Sequence, residues 1–340
     1  MKVLIVRLSA LGDLVMATPL LAALKTRFPN AEIHWAVQPE FADVIRNHPL
    51  IDQLILIPKG RWKEAFKAGK WLGVWREIRA LKQQLRAQEF DLALDLQGLI
   101  KSALWVKWSS AKRKVGLNAK EGTARWMDEV VSGDAVDGAL ISSEYEALAA
   151  YLGCDTRQFW MQLPTQLDTP KSESLFAQVG NNYLVFCPFT TRPQKHWFAE
   201  NWQSLACLFP SWQPIVILGG PADVAAAQAL MQAMPQQVVN LVGQTQIQEA
   251  IALIRRAQGV IGVDTGLTHI GIAEKRPTLA LFGSTLPYQN PRTQQAQVLY
   301  HKMPCSPCRR HPTCDGRFDC MRALTPDRVF QAWQHLLEQK

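Results

Sequence analysis

Asp13 is the lone carboxylate of the stretch RLSALGDL (7–14), where an apolar run passes into a helical pattern. A carboxylate there can take a proton from a hydroxyl, or it can simply cap the helix that follows. Gly12 is the turn's only glycine, so the G-x-G-x-x-G spacing that receives a dinucleotide pyrophosphate is missing. Three further turns carry candidate chemistry: CPFTTRPQKHW (187–197), GGPAD (219–223) and GVDTGLTHIG (262–271). In the last, Asp264 ends a strand, and Thr265 and Gly266 open a helix. Backbone N–H groups and the positive helix end favour phosphate there, although an ordinary N-cap looks the same. Thr265, Thr268, Thr190 and Thr191 add hydroxyls, and Lys195 adds a cation. No G-x-x-x-x-G-K-[ST] loop occurs. The set points to a nucleoside diphosphate held without a dedicated metal.

These turns need strands to end on. Apolar runs at 3–8, 33–37, 53–58 and 91–96 read as strands, with helical patterns near 14–27, 40–47, 72–88 and 99–108. A second series has strands at 183–189, 214–220, 238–243, 259–264 and 278–283, and helices near 198–208, 222–233, 247–257 and 267–274. Alternating strand and helix implies parallel sheets covered on both faces. With 340 residues and 48% hydrophobic content, the expectation is two doubly wound, Rossmann-like α/β domains facing a central cleft. They are expected at 1–165 and 175–322, with the polar stretch 162–174 as linker. A last helix at 323–340 is expected to pack back on the first domain. Ligands of such sheets bind beyond the strand carboxyl ends.

The formal net charge is +8, and the first half carries the excess. Residues 59–86 hold nine Lys/Arg against two Glu, and 101–125 hold seven against one. Trp62, Phe66, Trp71 and Trp75 are interleaved with the first set. Cations with tryptophans suit a membrane interface; a solvated helix face with its aromatics in the core has the same composition. No apolar run is long enough to span a bilayer. MKVLIV reads as a strand, not a signal peptide, so the expected location is cytoplasmic. Four of the seven cysteines, Cys305, Cys308, Cys314 and Cys320, cluster near the end. The spacing is compatible with zinc, but free thiols are the reading adopted, and no catalytic metal is expected.

The segments VLIVRLSALGDLVMATPLLAAL, DLALDLQGLIKSAL, TTRPQKHW and GVDTGLTHIGIA, in this order, resemble the ADP-heptose:lipopolysaccharide heptosyltransferases. These are inverting enzymes of the two-Rossmann-domain GT-B class, and the wording around Asp13 and Gln97 leans toward heptosyltransferase I. The resemblance implies that Asp13 is the general base. It implies donor contacts from Ser9, Thr190, Thr191, Lys195, Asp223, Asp264, Thr265, Gly266 and His269, with Asp223 standing in for a ribose-binding glutamate. Arg7, Arg61, Lys63 and Lys120 fall at or beside positions that hold the anionic acceptor. The implied partners are an ADP-sugar donor and a Kdo-lipid A or lipopolysaccharide core acceptor, met by a monomer on the inner face of the cytoplasmic membrane. No nucleic acid and no cofactor are implied. A transferase for a later heptose or another sugar, a nucleotide-sugar epimerase and a non-catalytic nucleotide-sugar binder share much of this pattern. An epimerase needs no lipid acceptor, and a silent binder has no use for Asp13.

Overall fold

The computed structural model describes residues 1–135, 139–165, 170–308 and 311–338. The chain divides into two compact units: Met1–Gly138 with Ser142–Thr165, and Ala139–Ile141 with Gln166–Lys340. Ala139–Ile141 joins the second unit through backbone bonds to the loop at Asn290, including Ile141 N–H to the Asn290 carbonyl at 2.9 Å.

In the first unit, strands β1 (Lys2–Val6), β2 (Glu32–Val37), β3 (Gln53–Leu56), β4 (Leu92–Asp95), β5 (Arg113–Leu117) and β6 (Glu129–Val131) form one sheet. Its spatial order is β3-β2-β1-β4-β5-β6, with every neighbour parallel. Val3, Leu4, Ile5 and Val6 are fully buried, as a central strand covered on both faces requires. The chain reverses direction across the sheet between β1 and β4, so the loops leaving these two strands flank the place where doubly wound sheets bind ligands. Leu4, Val6, Ala36 and Ile55 pack beneath Trp62, Val74, Leu85 and Trp105.

The basic segment forms two helices, Lys59–Lys67 and Trp71–Ala87. Trp62 is not available to a membrane interface. It is buried, stacks on Trp105 with ring centroids 5.9 Å apart, and donates its Nε1–H to Glu77 at 2.7 Å. Trp71 and Trp75 are exposed.

The second unit repeats the design with β7 (Leu184–Cys187), β8 (Ile215–Ile217), β9 (Val238–Asn240), β10 (Gly259–Val263), β11 (Thr278–Phe282) and β12 (Ala296–Tyr300). The order β12-β11-β10-β7-β8-β9 is again all parallel, with its reversal between β7 and β10. The strands β5, β6 and β12 lie toward sheet edges and escape a pattern search; β6 is only three residues long. Of the expected linker, residues 166–169 lie outside the described residues, and 170–174 open the helix Pro170–Val179.

The last helix, Pro326–Glu338, is part of the second unit. Val329, Trp333 and Leu336 are buried in the core of the second, against Leu205, Phe209 and Leu299. Trp197 Nε1–H donates to the Leu324 carbonyl at 2.8 Å, which fixes the helix entry. An amphipathic helix must cover some apolar sheet, and here it covers the one its own unit leaves open. No described helix is long and apolar enough to cross a membrane.

Candidate active site

Asp13 is the third residue of the helix Leu11–Ala17, at the exit of β1. Its Oδ2 accepts the Ala10 backbone N–H at 3.1 Å and meets the Arg7 guanidinium at 2.5 Å. The capping role and the ionic role therefore coexist on one oxygen. Among the described residues no hydrogen bond reaches Oδ1, and the side chain is 35% exposed. Arg7 is buried. It also donates to the Leu96 carbonyl at the end of β4 and lies 5.9 Å from the centroid of the Tyr145 ring. It thus sits behind Asp13, tying the two switch-point strands together.

The loop after β4 completes this region. Asp95 Oδ1 accepts the backbone N–H groups of Gln97 and Gly98 at 3.0 and 3.1 Å. Burial raises the Asp95 carboxyl above its usual value, against these bonds and the Arg7 charge. Gln97 then reaches across, accepting from Leu8 N–H at 3.3 Å and donating to the Ser9 carbonyl at 3.2 Å. Lys101, one turn further on, donates to Ser9 Oγ at 3.1 Å. Burial, with Lys59 and Arg7 nearby, lowers the Lys101 pKa, while Asp13 and Glu121 oppose that shift. The structure therefore brings Arg7, Ser9 and Asp13 together with Gln97 and Lys101. Lys120 is exposed, but its backbone N–H donates to the Gly98 carbonyl at 2.8 Å, which holds it beside this loop. Arg61 and Lys63 are exposed on the helix Lys59–Lys67, and Arg61 pairs with Glu77 at 2.5 Å.

The second constellation is centred on Asp264, at the exit of β10. Lys195 forms an ion pair with Asp264 Oδ2, which also accepts from Thr285 Oγ1 at 2.6 Å. His269 Nε2 lies 3.5 Å from Oδ1, and His269 Nδ1 is 3.0 Å from the Tyr288 hydroxyl. Burial opposes ionisation of Asp264, but the His269 hydrogen bond and the Lys195 charge outweigh it and hold the carboxyl well below the usual range. Thr190 Oγ1 donates to the Asp264 carbonyl at 3.5 Å, linking the exits of β7 and β10. Thr265 is the extended N-cap of the helix Gly266–Ala273, whose first backbone N–H groups have no partner within the helix. Thr191 is exposed on the same loop as Lys195. Thr268 faces inward and donates to the Val263 carbonyl at 2.7 Å. Asp223, after β8, accepts the Gly220 N–H at 2.9 Å and so shapes its own turn.

Lys101, Thr285 and Tyr288 had no place in the sequence reading. Lys101 stands four residues after Gln97 at a helix start, a spacing that would have flagged it. Thr285 and Tyr288 follow β11 in a loop without pattern. Among the described residues no group of three or more His, Cys, Asp or Glu is placed to hold a metal ion. Cys305, Cys308, Cys314 and Cys320 form no disulfide with described residues, and the last two are buried.

Both constellations occupy switch points of Rossmann-like sheets, and the comparisons with known proteins agree with that design. The chain resembles lipopolysaccharide heptosyltransferase 1 of Pseudomonas aeruginosa, being 30% identical over 366 positions that cover 97% of this chain and 96% of that protein. It is 28% identical to lipopolysaccharide heptosyltransferase 2 of Salmonella typhimurium over 363 positions, covering 100% and 99%. The solved structure of Escherichia coli ADP-heptose lipopolysaccharide heptosyltransferase II superposes with a TM-score of 0.78 at 24% identity, over 100% of this chain and 99% of that one, and shows the shared GT-B fold. A family model described as "Glycosyltransferase family 9 (heptosyltransferase)" matches residues 78–317, which span β4–β6 of the first sheet and the whole of the second, so the chain belongs to glycosyltransferase family 9.

Proposed function

We propose that this glycosyltransferase moves a heptose from ADP-L-glycero-D-manno-heptose to the Kdo of the lipopolysaccharide inner core, with inversion, at the cytoplasmic face of the inner membrane and as a monomer. The observation that carries the reading is Asp13. One carboxylate oxygen is held by Arg7 and the Ala10 N–H, and the other has no hydrogen bond among the described residues. That is how a general base is oriented without being consumed by its own support.

The acceptor hydroxyl gives its proton to Asp13 Oδ1 as its oxygen attacks the anomeric carbon. The bond from that carbon to the diphosphate oxygen breaks, and ADP leaves with the electron pair. Negative charge grows on the diphosphate, so donors fixed there favour the transition state. Lys195, Thr190, Thr191, Thr265 and the N–H groups at Gly266 are suited to that task. Asp264 and His269 hold Lys195 and the loop in place, and Asp223 is assigned to the ribose. Arg61, Lys63 and Lys120 supply cations for the acceptor's carboxylate and phosphates, and Arg7 is assigned to positioning Asp13. The leaving diphosphate is met by protein groups, with no metal required.

Relatives of both heptosyltransferase types match the chain, so the test is a pair of acceptors. The protein is incubated with ADP-heptose and either Kdo-lipid A or the same acceptor already carrying one heptose, and products are weighed by mass spectrometry. A heptose added only to the first acceptor is the expected result. Addition only to the second assigns a later step, and addition to neither sinks the reading.

A further inference from the structure

We propose that the exposed side of the helix Trp71–Ala87, with the end of the helix Lys59–Lys67, is a docking surface for an anionic lipid bilayer. Phe66, Trp71, Leu72 and Trp75 enter the interfacial layer, and the surrounding cations meet headgroup phosphates. This deepens the reading above, which places the acceptor in such a membrane.

The helix has already satisfied its need for a core. Val74 and Leu85 are buried, and Ile78 and Leu81 pack beside them on the same seam. At 3.6 residues per turn, Trp71, Trp75, Arg79, Lys82 and Arg86 fall on a second stripe, about a quarter-turn round the axis from that seam. Trp71 is 52% exposed, Leu72 66%, Trp75 58% and Phe66 45%. Single exposed apolar side chains are ordinary, but of the fourteen large ones exposed among the described residues, four fall within 66–75. Indole rings beside cations match the headgroup layer, where an apolar body and a polar N–H are both accommodated.

Charge names the partner. Residues 59–86 carry nine cations and two carboxylates, and both carboxylates are matched internally, Glu64 with Lys67 at 3.3 Å and Glu77 with Arg61 at 2.5 Å. The field left over is positive, and it surrounds the apolar tip on both helices. An anionic bilayer complements both features together: hydrocarbon for the tip and phosphate for the rim.

The intact protein is mixed with phosphatidylcholine vesicles, with or without phosphatidylglycerol and free of acceptor, and bound protein is measured by co-sedimentation and by the shift of tryptophan emission. The wild type is expected to bind the anionic vesicles, less so as salt rises. The variant Trp71→Ser/Leu72→Ser/Trp75→Ser is expected to lose at least about tenfold in partitioning. The variant Lys70→Gln/Arg76→Gln/Arg79→Gln is expected to lose about fivefold per cation. Both should keep the wild-type circular dichroism and their turnover on a deacylated, soluble acceptor, because these positions are exposed. Equal vesicle binding by the apolar variant and the wild type overturns the proposal. So does a wild type that ignores anionic vesicles, or one that forms a dimer which the apolar variant abolishes, since that assigns the face to self-association. Vesicle binding that depends on these residues in a protein that transfers no heptose supports the surface and refutes the proposed reaction instead.

Discussion

The guanidinium of Arg7 and the carboxylate of Asp13 meet at 2.5 Å, six residues apart along a turn that leaves β1. Arg7 is buried and also donates to the Leu96 carbonyl, so the pair is anchored to the neighbouring strand β4. One strand exit thus presents a carboxylate whose position is determined by the next. A base held rigid in this way, the role proposed for Asp13, needs less reorganisation when the proton moves.

Asp13→Asn keeps the shape of the side chain and should lower kcat by at least about a hundredfold, the usual contribution of a positioned base. ADP affinity should hold, since the residues assigned to the diphosphate come from the second unit. Near-normal turnover of this variant under single-turnover conditions would remove Asp13 from the chemistry.

Lys195→Ala tests the diphosphate site. A charge-assisted hydrogen bond is worth about 1.5–3 kcal/mol, which is roughly ten- to a hundredfold in Kd. Calorimetry with ADP should show a loss in that range. The variant also strips Asp264 of its cation, leaving Thr285 and His269 as partners, so the folding temperature should be followed alongside. Unchanged ADP affinity would place Lys195 outside the phosphate contacts.

What could be read in advance depended on burial that repeats. Val3–Val6 and Val260–Val263 announce central parallel strands because both faces are covered and nearly every position is apolar. The turns that follow them could be located for the same reason. Glu129–Val131 is too short for any period to show. The helix Pro326–Glu338 is plainly amphipathic, yet amphipathicity states that a face is buried and not against which sheet. Trp62 and Trp75 look alike in sequence; only the fold separates the one that packs on Trp105 from the one left in solvent. Thr285 reaches Asp264 through a loop without regular structure, and no spacing rule predicts such a contact.

The placement of the last helix gives a stability prediction. A Cβ added at Gly259 would lie 2.1 Å from the Trp333 ring and 2.7 Å from the Pro277 carbonyl oxygen, and the backbone oxygen cannot move aside. Gly259→Ala should cost roughly 3 kcal/mol, and Trp333→Ala about 3–5 kcal/mol. Urea unfolding would measure both. Wild-type stability in either variant would contradict the packing of this helix on the second sheet.

His48 supplies a pH dependence. Burial pulls its pKa from 6.5 down to about 4, so the folded protein resists the proton that the unfolded chain accepts. The sign follows: this contribution is fully present above pH 6.5 and is lost as pH falls toward 4. Between about pH 7 and pH 5 the loss should be roughly 2 kcal/mol. His48→Gln should flatten that part of the stability profile in urea titrations. A parallel profile for wild type and variant would show that His48 does not titrate differently on folding.

Lys101 is the residue whose role the structure adds most directly. Its ammonium donates to Ser9 Oγ at 3.1 Å, and Asp13 and Arg7 both lie within its electrostatic reach. Two roles are open to a cation there. It can hold the β1 exit loop through Ser9, or it can receive the acceptor's anionic group and give up the Ser9 bond when it does. The two separate in kinetics. If Lys101 only holds the loop, Ser9→Ala should reproduce the effect of Lys101→Met, and both should lower kcat by disturbing Asp13. If it binds the acceptor, Lys101→Met should raise the acceptor KM by about tenfold or more, the worth of one charge-assisted bond, while Ser9→Ala leaves KM almost unchanged. The second outcome is expected, because Gln97 already secures the loop through Leu8 N–H and the Ser9 carbonyl. Matched kinetic defects in the two variants would return Lys101 to a purely structural part.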